Sequence, residues 1–312
     1  MYGETKQRTQ KHDRLLEINA RLLAGEIVHI PDLAVKFGVD FRSIKRDIAS
    51  LRIFYSNQMI NGNSSGEIKY DRSKKGYLMV NSANPFLTSP ELFAVLKIIL
   101  ESRSLSKEEV QQIISKLIDN CLPAPEQKKM TEQVRNEIFH YAEPHHHKKL
   151  LGAIWELGEA VYYHKIVLLN YQKANGEQTK ASVKPVGIMV SEYYFYLIAY
   201  IGDKDKKYPG YPTIYRIDRI EKYTVTEEAF HVPYSNRFEE GEFRKRIPFM
   251  YGGQLHKTSF TYSGPDINVV LDRLPTAKAV KQADGSYLVT VEVYGEMGLN
   301  LWLKGQGEYI HI

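Results

Sequence analysis

The sequence predicts a multidomain α+β protein in which a helical N-terminal half precedes a strand-rich C-terminal half. Three observations predict this class. The chain has 312 residues, which is more than one ordinary hydrophobic core accommodates. The apolar period changes from helical to strand-like near Val161. The excess of basic residues is confined to one region, because residues 1–80 contain 14 Lys and Arg against 9 Asp and Glu, while the rest contains 28 of each.

The composition is that of a globular protein, with 43% hydrophobic and 25% charged residues. Apolar runs such as residues 93–100 are too short to cross a bilayer, and the N-terminus has no apolar signal core. We therefore expect a cytoplasmic protein. The single cysteine, Cys121, excludes an internal disulfide framework. Because Cys121 ends an amphipathic segment, we expect a buried structural thiol there.

Three short helices are predicted in the N-terminal region. The first covers residues 13–23, the second starts at Pro31 and stops at Gly38, and Asp40 caps a third over residues 41–52. Each carries an apolar stripe on one face. The outward face of the third helix keeps polar and basic residues, namely Arg42, Ser43, Lys45, Arg46 and Arg52.

A glycine-containing turn before a basic third helix is typical of the helix-turn-helix, whose last helix enters the major groove of DNA. Residues 67–80 then predict two strands around a basic tip that could reach phosphates. The alternative is a solvated charged surface on a small helical domain. The order of cap, turn, apolar stripe, basic face and hairpin favours DNA binding. The predicted DNA contacts are Arg42, Ser43, Lys45, Arg46, Arg52, Lys74 and Lys75.

The same region resembles the DeoR-type winged helix-turn-helix. The matching residues are 30–34 in helix two, 43–48 with Leu51 in helix three, and 76–78 at the end of the wing. This resemblance implies a DNA-binding domain over residues 1–82. Residues 53–67 are predicted to form a loop that is longer than the family usually has.

Two further amphipathic helices are predicted within residues 83–144. Residues 84–85 open a linker, residues 89–91 start one helix, and Ser106 with Glu109 forms a capping box for the next. Such helices beside a DNA-binding module commonly pack against each other or against a second subunit, and two-fold operators favour dimers. We therefore interpret residues 83–144 as a helical linker and dimerisation region, and we expect a homodimer.

Three consecutive histidines follow these helices. Residues 121–125 break the helical run, and a polar stretch continues to Pro144. On a helix His145, His146 and His147 would point in three directions, whereas helical metal ligands need a spacing of three or four. With no acidic or cysteine partner recognised at that spacing, we expect no metal site. The segment is instead predicted to start the helix that leads into the next domain.

Four strand-like runs come next, with a strong hairpin signal at Asn175–Gly176. Short strands without intervening helices argue for a small, strongly bent barrel rather than a doubly wound sheet. The last run carries Arg216 and Arg219 in an apolar, aromatic setting. Because arginine is rarely buried without a partner, the pair predicts either an anion pocket or a structural ion pair with Asp218 or Glu221.

Four short motifs in these strands resemble the WYL domain: Tyr171, residues 183–185, residues 195–197 and residues 215–220. The WYL domain is an Sm-like barrel found behind winged helix-turn-helix modules in bacterial transcription regulators. Phe195 stands where the family usually has tryptophan, which keeps a stacking face and loses the indole donor. The resemblance implies a sensor domain over residues 145–250, formed by an Sm-like barrel with a leading helix.

The resemblance also implies an effector that is a nucleic acid or a nucleotide. Guanidinium groups bind phosphate through two hydrogen bonds, and aromatic faces stack bases. Arg216 and Arg219 can serve one pocket only if the strand bends or ends between them, because residues three apart on a strand face opposite sides. The effector-binding residues implied are Tyr171, Tyr196, Arg216 and Arg219.

Residues 251–312 have the predicted order β-α-β-β-α-β, which is that of a ferredoxin-like unit. This segment resembles the C-terminal extension that often follows a WYL domain. Trp302 lies among leucines, and we expect it to pack in the core.

Together these features predict a transcription regulator that binds a double-stranded operator and responds to an effector, without a cofactor. One alternative is a regulator whose barrel only mediates assembly. Another is a nucleic-acid-processing enzyme, which would usually need clustered carboxylates for a metal or a nucleophile with a nearby base. No such arrangement is found in the sequence. The acidic residues within 239–242 lie among basic ones and predict a solvated loop.

Overall fold

The computed structural model describes five stretches of the chain: residues 3–60, 66–81, 87–202, 211–232 and 237–311. These stretches contain ten α-helices and three antiparallel sheets, which confirms the predicted α+β class. No helix among them is both long and apolar enough to span a membrane. The chain forms two compact units, one of residues 1–101 with 111–140 and one of residues 102–110 with 141–312.

The first unit begins with three helices: α1 (Gly3–Leu23), α2 (Ile30–Phe37) and α3 (Phe41–Ile60). Their apolar stripes meet in one core that includes Ile18, Leu22, Leu33, Ile44 and Ile48. Helix α2 ends at Gly38, whose φ of 60° is a left-handed conformation that glycine adopts without strain.

Helix α3 is longer than predicted. The prediction of a loop over residues 53–67 is wrong for residues 53–60, which continue the helix, and for residues 66–67, which begin the next strand. Tyr55 extends the inward stripe four residues beyond Leu51. Its ring is buried, and its hydroxyl donates a hydrogen bond to Asn19 at 2.6 Å. Residues 61–65 lie outside the described part of the chain.

A two-stranded hairpin follows, formed by β1 (Gly66–Asp71) and β2 (Gly76–Asn81). Val28, between α1 and α2, forms a β-bridge to Tyr77, with backbone hydrogen bonds of 2.8 and 2.9 Å. The hairpin is therefore fixed against the three helices rather than attached only through its own ends.

Three more helices lie in the middle of the chain: α4 (Ser89–Ser102), α5 (Lys107–Cys121) and α6 (Ala124–Phe139). The polar stretch expected after residue 125 is in fact α6. Pro125 stands in its first turn, where a missing N–H costs nothing, and Met130 and Val134 are buried four residues apart. Cys121 is half-buried, less than expected. The predicted linker at residues 84–85 lies outside the described residues.

The second unit contains α7 (Leu151–Tyr162) and a sheet of five strands in the order β6-β5-β4-β3-β7. Leu157 and Ala160 of α7 pack into the core of this sheet. The three histidines precede α7 and are not part of it, so the predicted helix start was placed too early. The strands are β3 (Lys165–Gln172), β4 (Gln178–Ser191), β5 (Tyr194–Ile201), β6 (Thr213–Arg216) and β7 (Ile220–Ala229).

A short helix, α8 (Glu240–Lys245), stands where a solvated acidic loop was expected. Glu240 accepts the backbone N–H of Ile188 on β4 at 3.0 Å, and Phe243 is buried. This docking depends on Gly187, because a Cβ there would lie 2.4 Å from the Glu240 Oε1 atom. The mixed charges of this segment gave no helical signal. The helix is held by the carboxylate of Glu240 and the ring of Phe243.

The chain ends in a four-stranded sheet whose elements follow the order β-α-β-β-α-β, with the strands arranged β11-β8-β10-β9. Trp302 is buried in its core, with its ring 6.4 Å from that of Phe260. The elements are β8 (Leu255–Tyr262), α9 (Asn268–Arg273), β9 (Lys278–Lys281), β10 (Tyr287–Tyr294), α10 (Met297–Gly305) and β11 (Ile310–His311).

Candidate functional site

The five-stranded sheet brings three of the four predicted effector residues together. Tyr196 on β5 and Arg216 on β6 are direct partners in the antiparallel register. Tyr171 on β3 pairs with Ile220 at the start of β7, and its hydroxyl accepts the backbone N–H of Arg216 at 3.3 Å. Three separate strands therefore converge on Arg216.

The strand carrying the arginines ends between them. β6 stops at Arg216, residues 217–219 form a 3-10 turn, and β7 begins at Ile220. This break meets the geometric requirement for Arg216 and Arg219 to serve one pocket. A pocket shared by the two arginines stays a prediction.

Arg216 forms an ion pair with Asp218, the structural alternative that the sequence left open. Its Nε atom lies 3.0 Å from Oδ1 and its Nη2 atom 2.7 Å from Oδ2. The Asp218 residue is 6% exposed. Burial disfavours the charged guanidinium, but the hydrogen bonds to Asp218, the charge of Asp218 and the neighbouring Tyr194 and Tyr196 together outweigh this and raise the pKa of Arg216.

Tyr196 lies in the same buried environment. Burial is the main cause that raises the pKa of its phenol to about 12, and Arg216 partly opposes that shift. Tyr196 is therefore a neutral hydroxyl at physiological pH, able to donate one hydrogen bond beside a permanent cation.

Tyr194 is a member of this site that the sequence reasoning missed. The guanidinium carbon of Arg216 lies 3.2 Å from the centre of the Tyr194 ring, a cation–π contact. Tyr194 precedes Tyr196 by two residues on β5, so both side chains face the same side of the sheet. That period-two spacing was the available signal. We call Tyr171, Tyr194, Tyr196, Arg216 and Asp218 the Arg216 cluster.

His146 stands against the Arg216 cluster from the segment before α7. Its ring centre is 6.5 Å from that of Tyr194. Its Nδ1 atom accepts the backbone N–H of Lys148 at 2.9 Å, so the proton of the neutral ring is on Nε2. Nε2 is buried and has no hydrogen-bond partner among the described residues. Burial lowers the pKa of His146, Asp218 opposes this, and Arg216 adds to it.

Lys148 ties this histidine segment to the arginine turn, because its ammonium donates to the Asp218 carbonyl at 2.6 Å. His147 has an acidic partner four residues away that the sequence reasoning overlooked: its Nδ1 atom lies 2.6 Å from a Glu143 carboxylate oxygen. These two side chains form a pair. Across the described residues, no group of three or more His, Cys, Asp or Glu side chains could hold a metal ion.

Arg219 differs from Arg216. It is half-buried, and its guanidinium forms neither a hydrogen bond nor an ion pair with any residue that the structure describes. Among the described residues its guanidinium donors are therefore not engaged, whereas Arg216 gives two of its five to Asp218. Residues 203–210, the polar loop before β6, lie outside the described residues.

The predicted DNA contacts lie on α3 and at the tip of the β1–β2 hairpin. Six of them, Arg42, Lys45, Arg46, Arg52, Lys74 and Lys75, are exposed, and Ser43 is half-buried. Within the described stretches no ion pair engages any of the six basic side chains. These charges are therefore free to contact phosphates.

Two aspartates fix the backbone at these positions. Asp40 caps α3 by accepting the N–H of Ser43 at 2.6 Å, and this hydrogen bond lowers the pKa of Asp40. Asp71 closes the hairpin turn by accepting the N–H groups of Ser73 and Lys74 at 2.8 and 3.1 Å. The hydroxyl of Ser73 is the main cause that lowers the pKa of Asp71.

Residues 153–225 match the sequence profile of the WYL domain, so the chain contains the WYL domain that its motifs resemble. None of the curated proteins matches the chain. One solved structure, proteasome accessory factor B/C (PafBC) of Arthrobacter aurescens, is 17% identical with a TM-score of 0.28, covering 97% of this chain and 44% of its own.

A second structure, described as a CRISPR Cas-related protein, is 15% identical with a TM-score of 0.33, covering 59% of this chain and 48% of its own. This chain spans less than half the length of either protein. With TM-scores this low, neither alignment supports an argument about fold or function.

Proposed function

We propose that this WYL-domain protein is a transcription regulator that binds double-stranded operator DNA and senses an anionic effector. The observation that carries the proposal is a WYL domain with an arginine-centred cluster, preceded in the chain by a helical unit whose third helix exposes basic residues that form no ion pair with any described residue. The proposal makes the protein a binding protein and not an enzyme.

The N-terminal helices and hairpin support the first half of the proposal. In our assignment residues 1–82 form a DeoR-type winged helix-turn-helix, with α3 in the major groove and the hairpin tip on phosphates. The bridge between Val28 and Tyr77 supports this, because it holds the hairpin beside the helices. The contacts would be those predicted from the sequence.

The Arg216 cluster supports the second half. Arg219 offers a guanidinium that is unpaired among the described residues, Arg216 is a cation held rigidly by Asp218 and Tyr194, and Tyr196 offers a hydroxyl. Guanidinium groups and aromatic faces are what a phosphate with an attached base requires. The proposed effector is therefore a nucleic acid or a nucleotide.

The remaining assignments complete the proposed architecture. Residues 83–144 would be the linker and dimerisation region of a homodimer, and residues 145–250 an Sm-like sensor barrel with its leading helix. Residues 251–312 would be a ferredoxin-like extension, as the strand order β11-β8-β10-β9 supports. A DNA-binding regulator of this kind would act in the cytoplasm.

Selection of duplexes from a random pool by the full chain, followed by anisotropy titrations at several salt concentrations, tests DNA binding. We expect affinity to fall steeply with salt and Arg46→Ala to reduce the slope by about 0.9, the value for one phosphate contact. Lys129→Ala is the matched control, since it removes an exposed cation of α6. Salt-independent binding, or equal effects of the two variants, would contradict the proposal.

Thermal shift with single-stranded oligonucleotides and mononucleotides tests the effector. We expect stabilisation of the native chain by one of these classes, lost in Arg219→Gln and kept in Arg237→Gln, which removes an exposed arginine elsewhere in the same unit. Arg219 is the better target than Arg216, because Arg216 also stabilises Asp218. If no anion of either class raises the melting temperature, the effector half of the proposal is contradicted.

A further inference from the structure

The first turn of α3 exposes an aromatic ring among the residues proposed to bind DNA. Phe41 is the first residue of the helix, and 55% of it is exposed. It is not a member of the hydrophobic core that the described helices of this unit form. A single exposed apolar side chain is common on protein surfaces. The inference therefore depends on where Phe41 lies.

The backbone at Phe41 is held in place, and its neighbours on the helix are basic. The cap from Asp40 to the N–H of Ser43 holds the first turn in place, so the ring projects from ordered backbone. Arg42 is adjacent, and Lys45 lies one turn further on the same side of the helix. An apolar ring beside two cations that form no ion pair with any described residue is poorly suited to an apolar protein surface and well suited to a groove lined by phosphates.

The first turn of the recognition helix is also the part that contacts base edges in helix-turn-helix proteins. The thymine C5-methyl is the apolar group that a base pair presents in the major groove, and phenylalanine is one of the side chains that contact it. We propose that Phe41 is a specificity-determining residue that contacts the 5-methyl group of a thymine in the operator. This inference rests on the proposed DNA binding.

Replacement of single thymines by deoxyuridine in the selected operator tests the contact, because it removes only the methyl group. Wild-type chain should lose about fourfold in affinity at the contacted thymine, the value of one buried methyl. Phe41→Ala should bind the thymine and uracil duplexes equally at that position. Phe41→Leu should keep part of the discrimination, since leucine retains an apolar contact.

Phe54→Ala is the matched control. Phe54 is on the same helix and is 52% exposed, but it lies about 20 Å further along the helix axis. The Phe54→Ala variant should distinguish the thymine duplex from the uracil duplex as the wild type does. Each substitution removes an exposed side chain, so all melting temperatures should agree.

The outcomes separate the two proposals. If the chain selects a duplex and Phe41→Ala keeps the wild-type sensitivity to uracil at every position, or the wild type shows none, only the thymine contact is overturned. If the chain selects no duplex at all, DNA binding and the thymine contact both fail.

Discussion

Arg216 and Asp218, two residues apart, form a two-point ion pair at the junction of β6 and β7, with N–O distances of 3.0 and 2.7 Å. This pair occupies two of the five N–H donors of the guanidinium. The Tyr194 ring covers one face of the group. Arg216 can therefore hold the turn and still offer donors to an anion, so its structural and ligand-binding roles are compatible.

The ion pair predicts a loss of stability when its carboxylate is removed. Asp218→Ala leaves the Arg216 guanidinium, whose side chain is 19% exposed, without its main partner. Removal of one member of a buried pair typically costs about 3–5 kcal/mol, and partial exposure reduces this to about 2–3 kcal/mol. Urea unfolding measures the change. Glu228→Ala, at an exposed carboxylate, should alter the free energy of unfolding by under about 0.5 kcal/mol; a similar effect of both would contradict the prediction.

We expect the free energy of unfolding to depend even more strongly on the buried carboxylate of Glu109. Its Oε1 atom accepts the N–H groups of Leu150 and Leu151 at 2.8 and 3.0 Å, at the start of α7. Its Oε2 atom accepts the N–H and hydroxyl of Ser106. Glu109→Gln places an amide NH₂ against these donors and should lower the free energy of unfolding by about 3 kcal/mol, measured by urea denaturation.

Glu108 provides the control for that prediction. It is the neighbouring carboxylate, and its ion pair with Lys149 is exposed on both sides. Exposed pairs contribute about 0–1 kcal/mol, so Glu108→Gln should unfold near the wild-type urea concentration. If Glu109→Gln does the same, the four hydrogen bonds do not stabilise the second unit.

The fold was predictable where its signals are local. Asp40, Gly38 and the Asn175–Gly176 turn mark element ends through short-range chemistry, and the structure ends its elements at them. Helix α6 was missed because Met130 and Val134 are its buried apolar residues and the proline before them was taken as a break. A stripe of two apolar residues is too weak to show a period.

Within the candidate site, only the residues that belong to motifs of a single strand could be predicted from the sequence. Tyr171, Tyr196 and Arg216 follow from motifs within individual strands, and Tyr194 could have been added from the period of two. His146 could not, because its position depends on how the segment before α7 packs against the turn after β6. Such packing joins residues about 70 positions apart, and no local pattern encodes it.

Asp47 and Arg46 are adjacent on α3, and we expect their substitutions to have opposite effects on stability and DNA binding. Asp47 is 1% exposed and pairs with Arg14 on α1 at 2.5 Å. Asp47→Ala leaves Arg14 buried without a counter-charge and should cost about 3–5 kcal/mol in the free energy of unfolding. Arg46→Ala, at an exposed position, should change that energy by under about 0.5 kcal/mol while weakening DNA binding. Calorimetry and anisotropy on the two variants measure both effects; a stable Asp47→Ala variant would contradict the role of the pair.

His146 predicts how stability depends on pH. Burial lowers its pKa in the folded protein, whereas the unfolded chain protonates near its ordinary value of about 6.5. The unfolded state therefore binds more protons over the interval from about 6.5 down to the folded pKa, and the free energy of unfolding falls as the pH is lowered through it. Calorimetric melting temperatures of the full chain between pH 7 and 5 should fall less steeply in His146→Gln than in the wild type.

His145→Gln, at the exposed neighbour, should keep the wild-type slope. Equal slopes for all three proteins would mean that the ring of His146 is protonated equally in the folded and unfolded states, and that its buried Nε2–H is not maintained in solution.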